Sequence, residues 1–301
     1  MVKLFNRLIQ SIIPLIPRSI VKLFAGRYVA GETTISALKT VRLLNKRGFA
    51  ATLDILGEHV KSFEKAAEIT HAYAALFDEI HYQKLDCNIS IKPTHIGIEL
   101  GDSQFKKNID ILVNKARETQ NFLRIDMENS PFTGRTIETY KFCLQTYNGV
   151  GTVFQAYLHR TESDIRALFS PQFNFRLCKG IYHEDPAIAI QNRRDINKNY
   201  VKLLKIAFQN ECYVGIATHD QDLLEDIYRI IDEMQVPSDR FEFQVLFGVP
   251  MSGWLGKHIS RGYKVRIYVP FGPEWYDYSI RRLKENPNIV GYVMGNLLHK
   301  R

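Results

Sequence analysis

Where the apolar runs of this chain end, ionisable and amide side chains recur. They are Lys92; Asp126 with Glu128; Gln155 with His159 and Arg160; Lys179 with Tyr182; Thr218, His219 and Asp220; Gln244; and Tyr268. Each one alone reads as a solvated loop residue. Brought to one place, amine, carboxylate, amide, imidazole and phenol groups can bind an organic ligand, orient it and govern its protonation. The set lacks metal-ligand spacing of His, Cys and carboxylate residues, a nucleophile elbow and a Ser–His–Asp order. A polar set with neither nucleophile nor metal leans toward a bound organic cofactor. A second feature is the adjacent pair Arg281 and Arg282 in the segment Lys264 to Asn286. Neighbours on a helix point about 100° apart, so the pair cannot form one solvated stripe. One guanidinium must lean toward the apolar side, where two such forks suit a small carboxylate. The competing reading is that both arginine stems run along apolar surface to water.

The elements that must position these groups alternate. Strands are expected at 51–58, 87–94, 122–129, 151–161, 175–182, 212–220, 241–248 and 265–270. Helices are expected at 35–47, 63–82, 105–119, 134–147, 163–169, 185–210, 223–234, 252–261 and 275–286. In the last strand Val265, Ile267 and Val269 alternate with Arg266, Tyr268 and Pro270, and Phe271-Gly272-Pro273 breaks it before the arginine helix. Eight strand–helix units in one domain of this size point to a (βα)8 TIM-like barrel, in which chemistry sits at the carboxyl ends of the strands. A doubly wound open sheet is the alternative, weakened by the lack of G-x-G-x-x-G after the first strand. A further apolar run from residue 288 leaves the strand count at eight or nine. The organisation expected is an N-terminal helical segment, 1–48, followed by a barrel domain, 49–301.

Length and composition agree with a full core: 301 residues, 45% hydrophobic, 24% charged and 12% aromatic. The net charge of +8 suggests an anionic partner. The basic residues are dispersed and no nucleic-acid-binding motif occurs, so an anionic cofactor or a membrane surface is expected rather than nucleic acid. Cys87, Cys143, Cys178 and Cys212 are widely separated and read as buried small residues in a reducing, cytoplasmic setting. Near the N-terminus, Leu4, Phe5, Leu8, Ile9 and Ile12 mark one face of an amphipathic helix. It either lies on the inner face of the cell membrane or covers part of the protein. Pro14, Pro17 and Arg18 interrupt the run, and no small-residue cleavage site follows, which argues against a signal peptide.

The ordered blocks RYVAGET, TLDILGE, LRIDME, VFQAYLHRT, FRLCKGIY, ATHD, FEFQVLFGV, RIYVPFG and WYDYSIRRLKEN resemble the single-function bacterial proline dehydrogenases over roughly residues 25–298. The resemblance implies a distorted (βα)8 barrel that holds FAD, with the final helix over its mouth. It implies oxidation of L-proline to Δ1-pyrroline-5-carboxylate, with electrons passing to a quinone at the membrane. It implies that Lys92, Arg281 and Arg282 bind the substrate carboxylate, that Asp126 holds this basic cluster, and that Tyr268 packs on the substrate ring with Tyr278 nearby. Arg176 would lie near the flavin N5, where hydride arrives. Met127, Gln155, Lys179, Gly180, Ile181, Thr218, His219 and Gln244 would complete the FAD site, and Trp275 and Tyr276 would pack. Pro93-Thr94-His95 after Lys92 departs from the family pattern, and a proline there can re-aim the strand end. Cys178, Ile181 and His183 also differ. Two other functions remain open at this point: a hydroxyproline or other cyclic-amine dehydrogenase, and a non-catalytic, membrane-associated barrel that binds no flavin.

Overall fold

The computed structural model describes residues 18–170 and 172–285. Helix α1 (Arg18–Tyr28) and helix α2 (Thr34–Lys46) precede eight strands. These are β1 (Ala50–Ile55), β2 (Cys87–Ile91), β3 (Leu123–Ile125), β4 (Val150–Gln155), β5 (Asn174–Cys178), β6 (Tyr213–Ala217), β7 (Phe241–Leu246) and β8 (Val265–Phe271). Each strand pairs in parallel with the next and β8 closes on β1, giving a closed barrel in sequence order. Between them run α3 (Phe63–Tyr82), α4 (Asp102–Glu118), α5 (Thr133–Leu144), α6 (Thr161–Arg166), α7 (Arg193–Gln209), α8 (Gln221–Glu233) and α9 (Trp254–Ser260); α10 (Trp275–Glu285) follows β8. The expected (βα)8 barrel is therefore the observed fold. The apolar runs expected at residues 4–12 and from 288 lie outside the described residues.

Alternation along the strands sorts their side chains into two environments. Leu53, Ile89, Ile91, Leu123, Ile125, Phe175, Leu177, Ile216, Phe243 and Ile267 join the apolar core with the surrounding helices. The alternate positions bond across the barrel between strands that are not neighbours, so they fill its interior. Arg124 of β3 reaches Asn174 of β5, Arg176 of β5 reaches Gln244 of β7, and Tyr268 of β8 reaches Asp126 beyond β3. The interior thus holds two polar layers spaced by two residues. A floor layer contains Thr52, Asn88, Arg124, Asn174, Glu242 and Arg266, and a mouth layer contains Asp54, Ser90, Asp126, Arg176, Gln244 and Tyr268. Branched apolar residues ordinarily fill such a barrel. Here every buried charge has to find a partner inside it.

Two expected boundaries are corrected. The run 151–161 is a strand only to Gln155; beyond it Leu158 pairs with Ala189 in an isolated antiparallel bridge, and the Thr161 hydroxyl donates to the Gln155 carbonyl. His159 and Arg160 are consequently exposed outside the mouth, bonded to the Pro186 carbonyl and to Asp164. The helix expected from 185 begins at Arg193 instead. Asp185 precedes Pro186, which disfavours helical backbone, and the Asn192 side chain caps the later start by accepting from the Arg194 and Asp195 amides.

Candidate functional site

The mouth of the barrel opens into a cavity of about 660 Å³. All the residues named above for the substrate and the cofactor line it: Lys92, Asp126, Met127, Gln155, Arg176, Lys179, Gly180, Ile181, Thr218, His219, Gln244, Tyr268, Tyr278, Arg281 and Arg282. The sequence reading missed Asp54, Glu58 and Arg193, which line it too. A signal for Asp54 existed: a lone carboxylate inside the apolar strand run ATLDIL must be paired once it is buried.

At the centre, Asp126 gathers three partners. Its Oδ1 accepts from Arg176 Nη1 at 2.8 Å and Ser90 Oγ at 2.5 Å, and its Oδ2 accepts from Tyr268 Oη at 3.1 Å. The Arg176 guanidinium also stands 5.1 Å from the Tyr268 ring centroid. Lys92 bonds Asp54 at 2.6 Å, and both side chains are buried. Burial alone would lower the Lys92 ammonium, but the Asp54, Glu58 and Asp126 carboxylates outweigh it and hold the group above its ordinary value. Pro93 follows Lys92 directly. It opens a single 3-10 turn, Pro93–Ile96, that starts after the lysine and leaves its side chain in the cavity. The same turn presents Thr94, whose amide and hydroxyl both donate to Glu128, at 2.8 and 2.5 Å. Burial nevertheless pushes the Glu128 carboxyl up to about 7.

The lid is α10. Trp275 and Tyr278 pack with Val21, Ala25, Tyr28 and Val29 from the α1 region and with Leu56. That contact turns the next turn of the helix, with Arg281 and Arg282, toward the cavity. Arg282 is buried, and Arg281 approaches Glu58 only to 3.7 Å with its Nε buried and unbonded. Tyr278 both packs in this contact and lines the cavity; its hydroxyl is buried and makes no hydrogen bond.

On the opposite wall the donors suit a large anionic heterocycle. Lys179 and Arg193 share Asp220 at the rim. His219 Nε2 accepts from the Leu246 amide at 3.0 Å, and burial together with Arg282 lowers the ring to about 4. A neutral imidazole accepting at Nε2 carries its proton on Nδ1 and keeps a donor. Gly180, at φ +118°, lies so close to Tyr157 that an added Cβ would sit 2.2 Å from its ring. Only glycine allows that turn. Met127, Val153, Ala217 and Val245 supply apolar surface between the polar groups. A flavin needs apolar surface for its rings, donors for its polar edge and cations for any phosphate it carries, and residues of each kind line this wall.

Comparison with known proteins now decides the family. Residues 37–294 match the proline dehydrogenase family. The chain belongs to the proline dehydrogenase family. It is 34% identical over 280 residues to proline dehydrogenase 1 of Bacillus subtilis, covering 93% of this chain and 92% of that protein. It is 32% identical over 280 residues to the proline dehydrogenase of Deinococcus radiodurans, covering 91% and 90%. Among solved structures, proline utilization A from Bdellovibrio bacteriovorus inactivated by N-propargylglycine aligns with a TM-score of 0.78 at 23% identity, over 87% of this chain and 32% of that one. That likeness concerns the fold. Proline dehydrogenases are oxidoreductases, and the mouth cavity is where the chemistry of this one would take place. Among the described residues no helix is long and apolar enough to cross a membrane.

Proposed function

We propose that the mouth binds L-proline by its carboxylate between Arg281, Arg282 and Lys92, with FAD along the ends of β4, β5 and β6, and yields Δ1-pyrroline-5-carboxylate. The observation that carries this reading is Arg281, held at the cavity with its Nε buried and unbonded and with Glu58 beyond hydrogen-bond distance. A substrate carboxylate would complete its fork. Bound FAD would accept the hydride that leaves C5 of proline as the nitrogen lone pair forms the C=N bond. The amine must be neutral at that moment. Lys92, Arg176, Arg281 and Arg282 around it disfavour a further positive charge and so favour loss of its proton to water. Asp126 anchors Arg176 and Tyr268 together, so that the guanidinium and the ring approached by substrate keep one geometry. Lys179, Arg193, Thr218 and His219 would hold the dinucleotide, with Met127, Gln155, Gly180, Ile181 and Gln244 around the ring system.

The unbonded Tyr278 hydroxyl favours a second reading of the same site, a hydroxylated ring as substrate. The purified protein's spectrum decides between them. We expect a yellow preparation whose flavin absorbance bleaches with L-proline and not with trans-4-hydroxy-L-proline. A preparation left colourless after adding FAD would overturn the assignment. Passage of electrons to a quinone, with binding to anionic lipid through residues 1–24, belongs to the same proposal. Salt-sensitive binding to anionic vesicles, lost when those residues are deleted, is the expected result.

A further inference from the structure

Gln244 joins the mouth layer to the floor layer. Its carbonyl Oε1 accepts from Arg176 Nε at 2.5 Å, and its Nε2 donates to Glu242 Oε1 at 2.6 Å. A guanidinium only donates and a carboxylate only accepts, so one of the two amide orientations satisfies both neighbours and the other satisfies neither. Below, the same Glu242 oxygen accepts from Arg266 Nε at 2.7 Å, and Arg266 Nη1 donates to the Ala51 carbonyl at 2.7 Å. All four side chains are buried. Beside them, β6 carries Gly215, where an added Cβ would stand 2.5 Å from Gln244 Nε2 and 2.9 Å from its Cδ. The glycine makes room for the amide. An unbroken chain therefore runs along the barrel axis: Arg266, Glu242, Gln244, Arg176, Asp126.

We propose that Glu242 is a positioning residue for the reaction: by accepting from Gln244 it fixes which end of that amide meets Arg176, and so sets where the Arg176 guanidinium points within the site that would hold the flavin. The proposal rests on the reading that Arg176 lies against the flavin. Glu242 touches neither cofactor nor substrate and acts through Gln244. Without its acceptor, the amide is free to turn its NH2 toward a guanidinium that has only donors, and Arg176 must move away. A displaced cation stabilises the anionic reduced flavin less.

The test compares three variants, each as purified, flavin-loaded enzyme. Glu242→Met with Arg266→Met removes the ion pair as a unit, which avoids leaving one charge buried alone. We expect a tenfold loss of preference for the reduced flavin, read as a fall of about 30 mV in the two-electron midpoint potential, and a similar fall in kcat with the KM for proline within twofold. Glu242→Gln should cost stability yet keep the parent potential. Both bonds go to one oxygen, which a carboxamide still supplies. Gly215→Ala displaces Gln244 from the other side with the ion pair intact and should lower the potential as the double variant does, so the test survives if the double variant fails to fold. A parent-like potential in the double variant, with only a lower melting temperature, would overturn the role of Glu242, as would a parent-like potential in Gly215→Ala where the double variant does not fold. An Arg176→Gln control separates the two claims. If that change leaves the potential untouched, the placement of Arg176 against the flavin fails and the proposal falls with it.

Discussion

The floor and the mouth of the barrel both bury arginines beside a cavity, about 550 Å³ at the floor and 660 Å³ at the mouth. At the floor, Arg124 gives bonds to the Thr152 and Asn174 carbonyls and to Asn174 Oδ1, and Arg266 is held by Glu242 and the Ala51 carbonyl. At the mouth, Arg281 makes no such bond and faces Glu58 across 3.7 Å. Both ends thus hold buried, bonded guanidiniums, since Arg176 at the mouth gives to Asp126 and Gln244. Arg281 differs from them: it is partly exposed at the cavity and its fork meets no protein acceptor at hydrogen-bond distance, which suits it to a ligand carboxylate.

The sharpest way to break that contrast is to remove one arginine from each end. Arg281→Met should raise the KM for proline by a factor corresponding to roughly 1.5–3 kcal/mol, the worth of a hydrogen bond to a charged group, since Arg281 is only partly buried. Its flavin content and melting temperature should stay close to the parent's. Steady-state kinetics with proline at several concentrations check it, and unchanged kinetics would remove Arg281 from the clamp. Arg124→Met should do the reverse. It leaves the Asn174 and Thr152 acceptors unpaired, at about 1–3 kcal/mol for each one not rescued by water. Urea unfolding should then show a stability loss of roughly 3 kcal/mol, with the KM for proline within twofold. An Arg124 variant that keeps its stability and loses proline affinity would show that the floor is itself part of the binding site.

The two ends were not equally legible in the sequence. The strand rhythm was plain, because strands buried on the helix side need Leu, Ile, Val and Phe at alternate positions, and it yielded the eight-stranded barrel. The mouth residues stood out because Lys92, Asp126, Gln155, Lys179, Thr218, Gln244 and Tyr268 fall at or near strand ends. The floor was silent. Arg124, Glu242 and Arg266 sit inside strands, where a polar residue between apolar neighbours reads as an outward-facing one. Only barrel closure turns those positions inward. Partners were hidden for the same reason. Lys92 meets Asp54 from 38 residues away, and Arg176 meets Gln244 across 68. The overlong strand at 151–161 had another cause: Ala156, Tyr157 and Leu158 are buried in the turn that follows Gln155, so apolar character outlasts the strand.

Two buried carboxylates carry the same contrast into pH dependence, with a smaller effect. Glu242 at the floor is held at about 2, because Arg266 beside it outweighs the cost of burial. Glu128 at the mouth is raised to about 7, because burial outweighs its two bonds from Thr94. The consequences have opposite sign. A folded-state value below the ordinary 4.5 makes Glu242 a source of stability above that pH, lost as pH falls toward 2. A folded-state value above 4.5 means that the folded chain retains a proton on Glu128 that the unfolded chain has released. Stability from this group is therefore greatest below pH 4.5 and declines as pH rises through about 7. Replacing Glu128 by Gln keeps the shape, since its carbonyl can accept from the Thr94 amide and its NH2 can donate to the Thr94 hydroxyl, and it removes the titration. Urea unfolding at pH 5 and pH 7.5 should show the parent losing roughly 1–3 kcal/mol more than Glu128→Gln over that interval. Other groups titrating in the same range, His219 among them, are common to both proteins and cancel in the difference. Equal losses would mean that Glu128 is ionised in the folded protein, and the mouth would then hold its carboxylates as the floor does.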